Sequence, residues 1–476
     1  MSEQAIQLSV FCIVLGAIAI LTYMKCRGES SRQADSNKEY FLAGGGLTWV
    51  FVAGSITLTN LSTDQLVGMN GNQMLLLALW ELAGFMGLLI LAKVFLPVYY
   101  RNNCTTTTEL LERRYESKHL RALVSSMFLF INIFVFQPAV IYTGALFMIS
   151  MTGIEADLII IASAFALLGA AYALLGGLRA VAVSDTYGGV LVLAMGLLIV
   201  VLSLMAIDFD FSGIPQERLT LIGDNDSPIP WHSLLTGMLF IQIFYWSTNQ
   251  TITQRAMAAP TVKEAQKGVY AAAFIRVVFI PSMVVIPGIV AFKLYGDIGD
   301  QAYGRIVGDL LPGWLSGIFA AAIAAAVLSS FNSMVNSSTA MYVCDLHEAY
   351  INDHPNLRKL SSIATSFFVV IAIAMVPIYA GSESIINLLQ ELFGLISMPI
   401  LACFAVGLLF KNVDYRAAIA AVLSGVLMYA YFIWIWKPLH YIHMMFFTFL
   451  ICVSLALLIN RFVLGNRAEY EGLKAE

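Results

Sequence analysis

Two stretches of this chain place polar side chains where the surrounding sequence is apolar, and both suit the holding of an ion or a small solute. The first is Thr57-Leu-Thr-Asn-Leu-Ser-Thr-Asp-Gln65, inside an apolar run that begins at Leu47. The second starts at Ser247, following Phe240-Ile-Gln-Ile-Phe-Tyr-Trp, and continues Thr-Asn-Gln. Ser, Thr and Asn side chains compete for the backbone's hydrogen bonds, so neither stretch favours an unbroken buried helix. Unwinding frees carbonyl oxygens for a cation and amide groups for a solute. A plain polar face packed against neighbouring helices would use the same residue types. A third segment, 319–338, repeats small residues at 322, 326, 329/330 and 333, a stripe for close helix contact. Packing explains its alanines. It does not require the adjacent hydroxyls of Ser329 and Ser330, which are neutral hard-oxygen donors suited to sodium.

The elements that must position these residues follow from composition. Of 476 residues, 59% are hydrophobic and 12% charged, against about 25% charged in soluble domains. Runs such as 158–175, 189–206 and 444–460 carry no charge at all. Each approaches the roughly 20 residues that a helix needs to cross a bilayer, and backbone groups in lipid must be paired within the segment. The expected fold is therefore an all-α polytopic membrane protein. Thirteen spans are expected, at about 5–24, 47–70, 74–97, 122–151, 157–175, 184–206, 233–254, 268–293, 313–342, 362–380, 384–409, 415–436 and 441–460. The two polar-interrupted spans are the second and seventh. Five apart, they cross in opposite directions, which is the pattern of two inverted halves around a midplane site.

Lys and Arg placement sets the expected orientation. With the N-terminus outside, twenty of the 26 basic residues fall on inner segments and only four on outer ones or span edges. The C-terminus is then cytoplasmic, and the protein is expected in the plasma membrane, a bacterial inner membrane. Ile6–Met24 is followed by Lys25 and Arg27 rather than a small-residue cleavage site, so it reads as a retained span.

Several function classes are disfavoured. A net charge of −4 gives no reason to expect nucleic acid as a partner. The six cysteines have no metal-ligand spacing and read as free thiols. The six histidines fall at or near loops, with none paired at a ligand spacing, and no nucleophile–base motif suggests an enzyme. Lys93 reads as a snorkelling side chain, Gln137 as a satisfied interhelical amide, and Trp49, Tyr99, Trp231 and Trp436 as interfacial anchors.

Over roughly residues 38–410 the chain resembles the solute:sodium symporter family, in its sodium/sugar branch. The landmarks are Glu39-Tyr-Phe-Leu-Ala-Gly, Asn60-Leu-Ser-Thr-Asp-Gln, Gly176-Gly-Leu-Arg-Ala-Val-Ala-Val-Ser-Asp-Thr, Tyr245-Trp-Ser-Thr-Asn-Gln-Thr-Ile-Thr-Gln-Arg and Ala324-Ala-Ala-Val-Leu-Ser-Ser. The resemblance implies a five-plus-five inverted repeat with discontinuous first and sixth core helices. The first repeat would span 47–206 and the second 233–409, joined by an outer loop at 207–232. An extra helix and inner loop (1–46) precede them, and two helices with a cytoplasmic tail (410–476) follow.

It further implies sodium-coupled import of a small polar solute, most simply a monosaccharide, with no cofactor beyond the co-transported sodium. Sodium would meet the carbonyls of Leu58, Leu61 and Ala326 and the hydroxyls of Ser329 and Ser330. Asp185, at the inner end of its span, matches an acidic residue tied to sodium release or to a second sodium. Asn60, Gln65, Glu81, Gln242, Arg276 and Gln390 would surround the solute, with the Tyr245 ring closing the inner face. Arg276 and Gln242 stand where a sugar symporter often has lysine and asparagine, and Gly84 stands at a small hydroxyl position and is expected to leave more room. Arg276, deep in an apolar span, needs a partner: either Glu81 as an internal ion pair, or the carboxylate of a sugar acid held in its fork. Inositol or another small organic solute is the remaining alternative for the cargo, and a sensor or leak channel of the same fold for the activity.

Overall fold

The computed structural model describes residues 3–26, 37–353, 355–381 and 384–472. Arg27, Arg32, His354 and Lys474, together with the side chain of Glu39, lie outside the described residues. Almost every described element is a helix. The helices that matter here are α1 (Glu3–Cys26), α2 (Trp49–Asn60), α3 (Thr63–Gly71), α4 (Leu75–Arg101), α5 (Glu109–Tyr115), α6 (Lys118–Thr152), α7 (Leu158–Ala206), α8 (Gly237–Ser247) and α9 (Gln250–Met257). They continue as α10 (Val262–Tyr295), α11 (Ala302–Leu310), α12 (Gly313–Tyr350), α13 (Leu357–Tyr379), α14 (Ile385–Leu409), α15 (Tyr415–Trp434) and α16 (Tyr441–Val463).

Among the described residues, ten helices are long and apolar enough to cross a membrane. The other three expected positions hold the shorter apolar segment Leu158–Ala171 and the two interrupted helices, α2/α3 and α8/α9. The break in the first comes at Leu61 (ψ 67°) and Ser62 (ψ 171°), in the middle of the polar run. The second breaks at Thr248 and Asn249, where the Asn249 side chain caps α9 by accepting from Thr251 N. At both places polar side chains, rather than proline, divert the backbone from the helical ladder.

The two interrupted helices run antiparallel. Leu47 N, just before α2, donates to Ala258 O just after α9 (3.0 Å), while Asn60 at the other end of α2 reaches the Tyr245 hydroxyl of α8 (3.0 Å). This is the inverted-repeat arrangement.

One expectation needs correction. A loop was expected at 176–183, yet helix α7 runs through it for 49 residues. Straight, it would be about 74 Å long, more than twice the hydrocarbon thickness. It is not straight. A side chain added at Gly169 would meet Phe331 of α12, and one at Gly188 would meet Ala325 of α12 and Leu58 of α2. Between those two points, Arg179 lies against Gly46 at the far end of α2. The helix therefore folds back, and its two legs, Leu158–Ala171 and Leu178–Ala206, lie where the fifth and sixth spans were expected, the second alone being long and apolar enough to cross a membrane.

Tyr99 also departs from expectation. It is 1% exposed rather than interfacial, and it donates to Ser247 O at 2.8 Å, satisfying a carbonyl at the end of α8. Trp49, Trp231 and Trp436 are exposed. Gln137 is satisfied at one end only: its amide donates weakly to Ser338, and its oxygen is buried without a partner. Lys93 lies 5.8 Å from the Tyr270 ring. His232 and His443, distant in sequence, come within 2.6 Å of one another, with Thr236 and Asn225 on their other nitrogens. No cluster of three or more His, Cys, Asp or Glu suited to a metal occurs among the described residues. At the C-terminal end, Phe410–Lys411 pairs antiparallel with Glu469–Tyr470.

Candidate functional site

The broken backbone of α2 creates the first half of the site. Ser62 N turns to Asn60 O (2.7 Å) instead of continuing the helix to Leu58 O, while Leu61 N still bonds Thr57 O. The last carbonyls of α2 are thereby released toward α12. There, Ser330 donates its hydroxyl to Thr59 O (3.2 Å), and Thr59 and Ser333 share a hydroxyl–hydroxyl contact (3.0 Å). Ser329 is 4% exposed, and its hydroxyl faces the Asp185 carboxylate without a hydrogen bond of ordinary geometry. An orphaned buried oxygen costs about 1–3 kcal/mol, and a cation among these oxygens would remove that cost.

Asp185 sits on the α7 leg that climbs beside α2. It was expected at the inner end of its span, but it is 0% exposed, with one carboxylate oxygen accepting from Ser55 (2.6 Å) and the other unpaired. Arg255 of α9, also 0% exposed, faces it electrostatically and has two unpaired nitrogens. Arg255 ends the Tyr245–Arg255 motif, and no role was expected for it.

The second half is a mid-protein cavity of about 80 Å³, enough for several waters. All seven expected solute residues line it: Asn60, Gln65, Glu81, Gln242, Tyr245, Arg276 and Gln390. They do not all point free polar atoms into it. Arg276 forms an ion pair with Glu81 (2.6 Å), donates to the Asn60 side-chain oxygen, and lies 4.3 Å from the Trp246 ring. Glu81 accepts from the Gln65 amide, whose own oxygen is left unpaired. The amide of Asn60 donates to the Tyr245 hydroxyl. Gln242 is occupied at both ends, accepting from Trp246 Nε1 (2.9 Å) and donating to Trp80 O (3.0 Å). The network ties α2, α3, α4, α8 and α10 into one wall.

Gly84 is a correction. The room it was expected to leave is filled, since a Cβ there would lie 2.5 Å from Arg276 Nε and 3.1 Å from Trp246 Nε1. Glycine at 84 is the space that the guanidinium needs.

The structure also adds residues that sequence reasoning passed over. Asp64, Asn249 and Thr251 line the same cavity. Asp64 stood inside the quoted polar run, and an acidic side chain at membrane depth is itself a functional signal.

Comparison with known proteins agrees with this architecture. The pattern of the sodium:solute symporter family matches residues 40–425. The chain is 32% identical to an uncharacterized symporter, YidK, of Escherichia coli, over 93% of this chain and 81% of that protein. It is 30% identical to the sodium/glucose cotransporter of Vibrio parahaemolyticus, covering 88% and 84%, and 27% identical to the mouse sodium/myo-inositol cotransporter 2, covering 83% and 65%. In fold it is similar to a Na+-coupled sialic acid symporter solved in a substrate-bound outward-open state, with a TM-score of 0.82 at 17% identity over 98% and 99% of the two chains. Taken with the inverted broken helices, these matches make the chain a multi-pass membrane protein that belongs to the sodium:solute symporter family.

Proposed function

We propose that the protein imports a small neutral, hydroxyl-rich solute, a monosaccharide foremost, by sodium symport and alternating access. The observation that supports this reading is the junction of α2 and α12, where helix-end carbonyls meet the Ser330 hydroxyl and the Ser329 hydroxyl faces the Asp185 carboxylate. Sodium at Leu58, Leu61, Ala326, Ser329 and Ser330 would order the broken helix against α12, completing the solute wall. Release would then pass Asp185 toward the inside, with the N-terminus outside and the C-terminus cytoplasmic. The glucose and myo-inositol relatives support a polyhydroxyl cargo. The engagement of Arg276 by Glu81 and Asn60 favours a neutral cargo over a sugar acid.

The energetics are sufficient. One sodium crossing 100 mV yields about 2.3 kcal/mol, and a roughly tenfold gradient adds about 1.4. Together they support roughly 500-fold accumulation. The test is counterflow in proteoliposomes with glucose, galactose, myo-inositol and glucuronate, with and without sodium. Sodium-dependent exchange of a neutral member is expected; exchange of glucuronate alone, or exchange indifferent to sodium, refutes the reading.

A further inference from the structure

Among the described residues, three that carry charge line the cavity: Asp64, Glu81 and Arg276. Glu81 and Arg276 cancel one another at 2.6 Å, and the guanidinium is further engaged by Asn60 and Trp246. Asp64 remains. It lies in the first turn of α3 and is 9% exposed, and among the described residues its hydrogen-bonding partners are all neutral: the Ser62 hydroxyl, on one carboxylate oxygen, and the backbone N–H groups of Asp64 itself and Gln65. The nearby helix end eases its charge without supplying a counter-ion. Meanwhile Asn60 and Gln242 spend their amides inside the protein. A carboxylate that lines a cavity without an opposite charge beside it is a strong acceptor for hydroxyl hydrogens, and it repels an approaching anion.

We propose that Asp64 is a solute-contacting, specificity-determining residue: its carboxylate accepts hydroxyl hydrogens from a neutral polyol and excludes anionic sugars from the cavity. The proposal rests on reading this cavity as the solute site, and it deepens that reading. The surplus negative charge, not the arginine, then sets the class of cargo. Glu81 and Arg276 hold the wall, while Asp64 selects what the wall admits.

The experiment uses the full-length protein in proteoliposomes and detergent, with glucose, myo-inositol and glucuronate as probes. Binding is read by thermal stabilisation in sodium and by competition in counterflow. For the wild type, a neutral polyol stabilises and competes, and glucuronate does neither. Asp64→Asn keeps the shape and removes the charge. It should weaken the neutral polyol about tenfold, the loss of a charge-assisted hydrogen bond, and admit glucuronate as a competitor. Asp64→Glu should restore the exclusion. A residue that only caps α3 would change thermal stability without changing the ranking of neutral and anionic probes. An unaltered ranking in Asp64→Asn therefore overturns the proposal, as does a wild type that binds glucuronate as well as hexose. If no neutral polyol binds the wild type, the solute-site reading falls and the role of Asp64 with it. If one binds with equal affinity to wild type and Asp64→Asn, only the role of Asp64 falls.

Discussion

Replacing Glu81 and Arg276 singly and together tests whether they form one structural unit. Glu81 is 0% exposed, Arg276 is 4% exposed, and their charged atoms are 2.6 Å apart. Removing one member of a buried pair strands the other charge, at a cost of about 3–5 kcal/mol, whereas removing both can be nearly neutral. The two single changes should differ. Glu81→Gln leaves Arg276 with the Asn60 oxygen and the Trp246 face, and a desolvated cation–π contact is worth about 2 kcal/mol, so the cost should fall near 3. Arg276→Gln leaves Glu81 with the Gln65 amide as its remaining side-chain partner, so the cost should fall near 5. With a double mutant within about 1–2 kcal/mol of wild type, the coupling comes to about 6 kcal/mol. Unfolding of the purified protein in mixed micelles, titrated with SDS, measures all four corners of the cycle. Additive single effects, or single costs below about 1 kcal/mol, would refute the ion-pair argument and return Arg276 to the solute.

Ser329→Ala and Ser330→Ala should each raise the sodium half-saturation about tenfold while leaving expression intact, the size of one lost ligand hydrogen bond or contact; uptake titrated against sodium checks this, and an unchanged half-saturation in both contradicts the sodium assignment. Orientation predicts that a cysteine at Asp224 reacts with an impermeant thiol reagent on intact cells and one at Lys359 does not; the reverse pattern inverts the topology. Asp300 lies in a single 3-10 turn (Gly299–Gln301) before α11 and accepts from Ile385 N (3.1 Å) at the start of α14. Burial pushes its carboxyl up from 3.8 to about 6. Because the folded value is the higher one, the protonated form is favoured by folding, and its contribution is fully present below pH about 4 and lost as pH rises through about 6. That difference is worth about 3 kcal/mol at most, so Asp300→Asn should flatten the stability profile between pH 4 and 6. Equal slopes for variant and wild type would contradict this.

The class of this protein was legible from its sequence because lipid imposes a one-dimensional rule: spans must be long, apolar and helical. For the same reason the two breaks were legible. Runs of Ser, Thr, Asn and Gln at membrane depth have few outlets, and the breaks fall at Leu61–Ser62 and Thr248–Asn249 within the quoted stretches. Sequence alone did not determine how side chains divide their hydrogen bonds, because that depends on which helices face each other. Only the tertiary structure decided that Gln242 is spent on Trp246 and Trp80, that the space beside Gly84 belongs to Arg276, and that Tyr99 serves the end of α8 rather than the membrane surface. It likewise decided that α7 folds back instead of running straight and that, among the described residues, Asp64 has no opposite charge beside it. Charge is a property of residue type and can be read along the chain; neutralisation is a property of distance, and distance exists only in the fold.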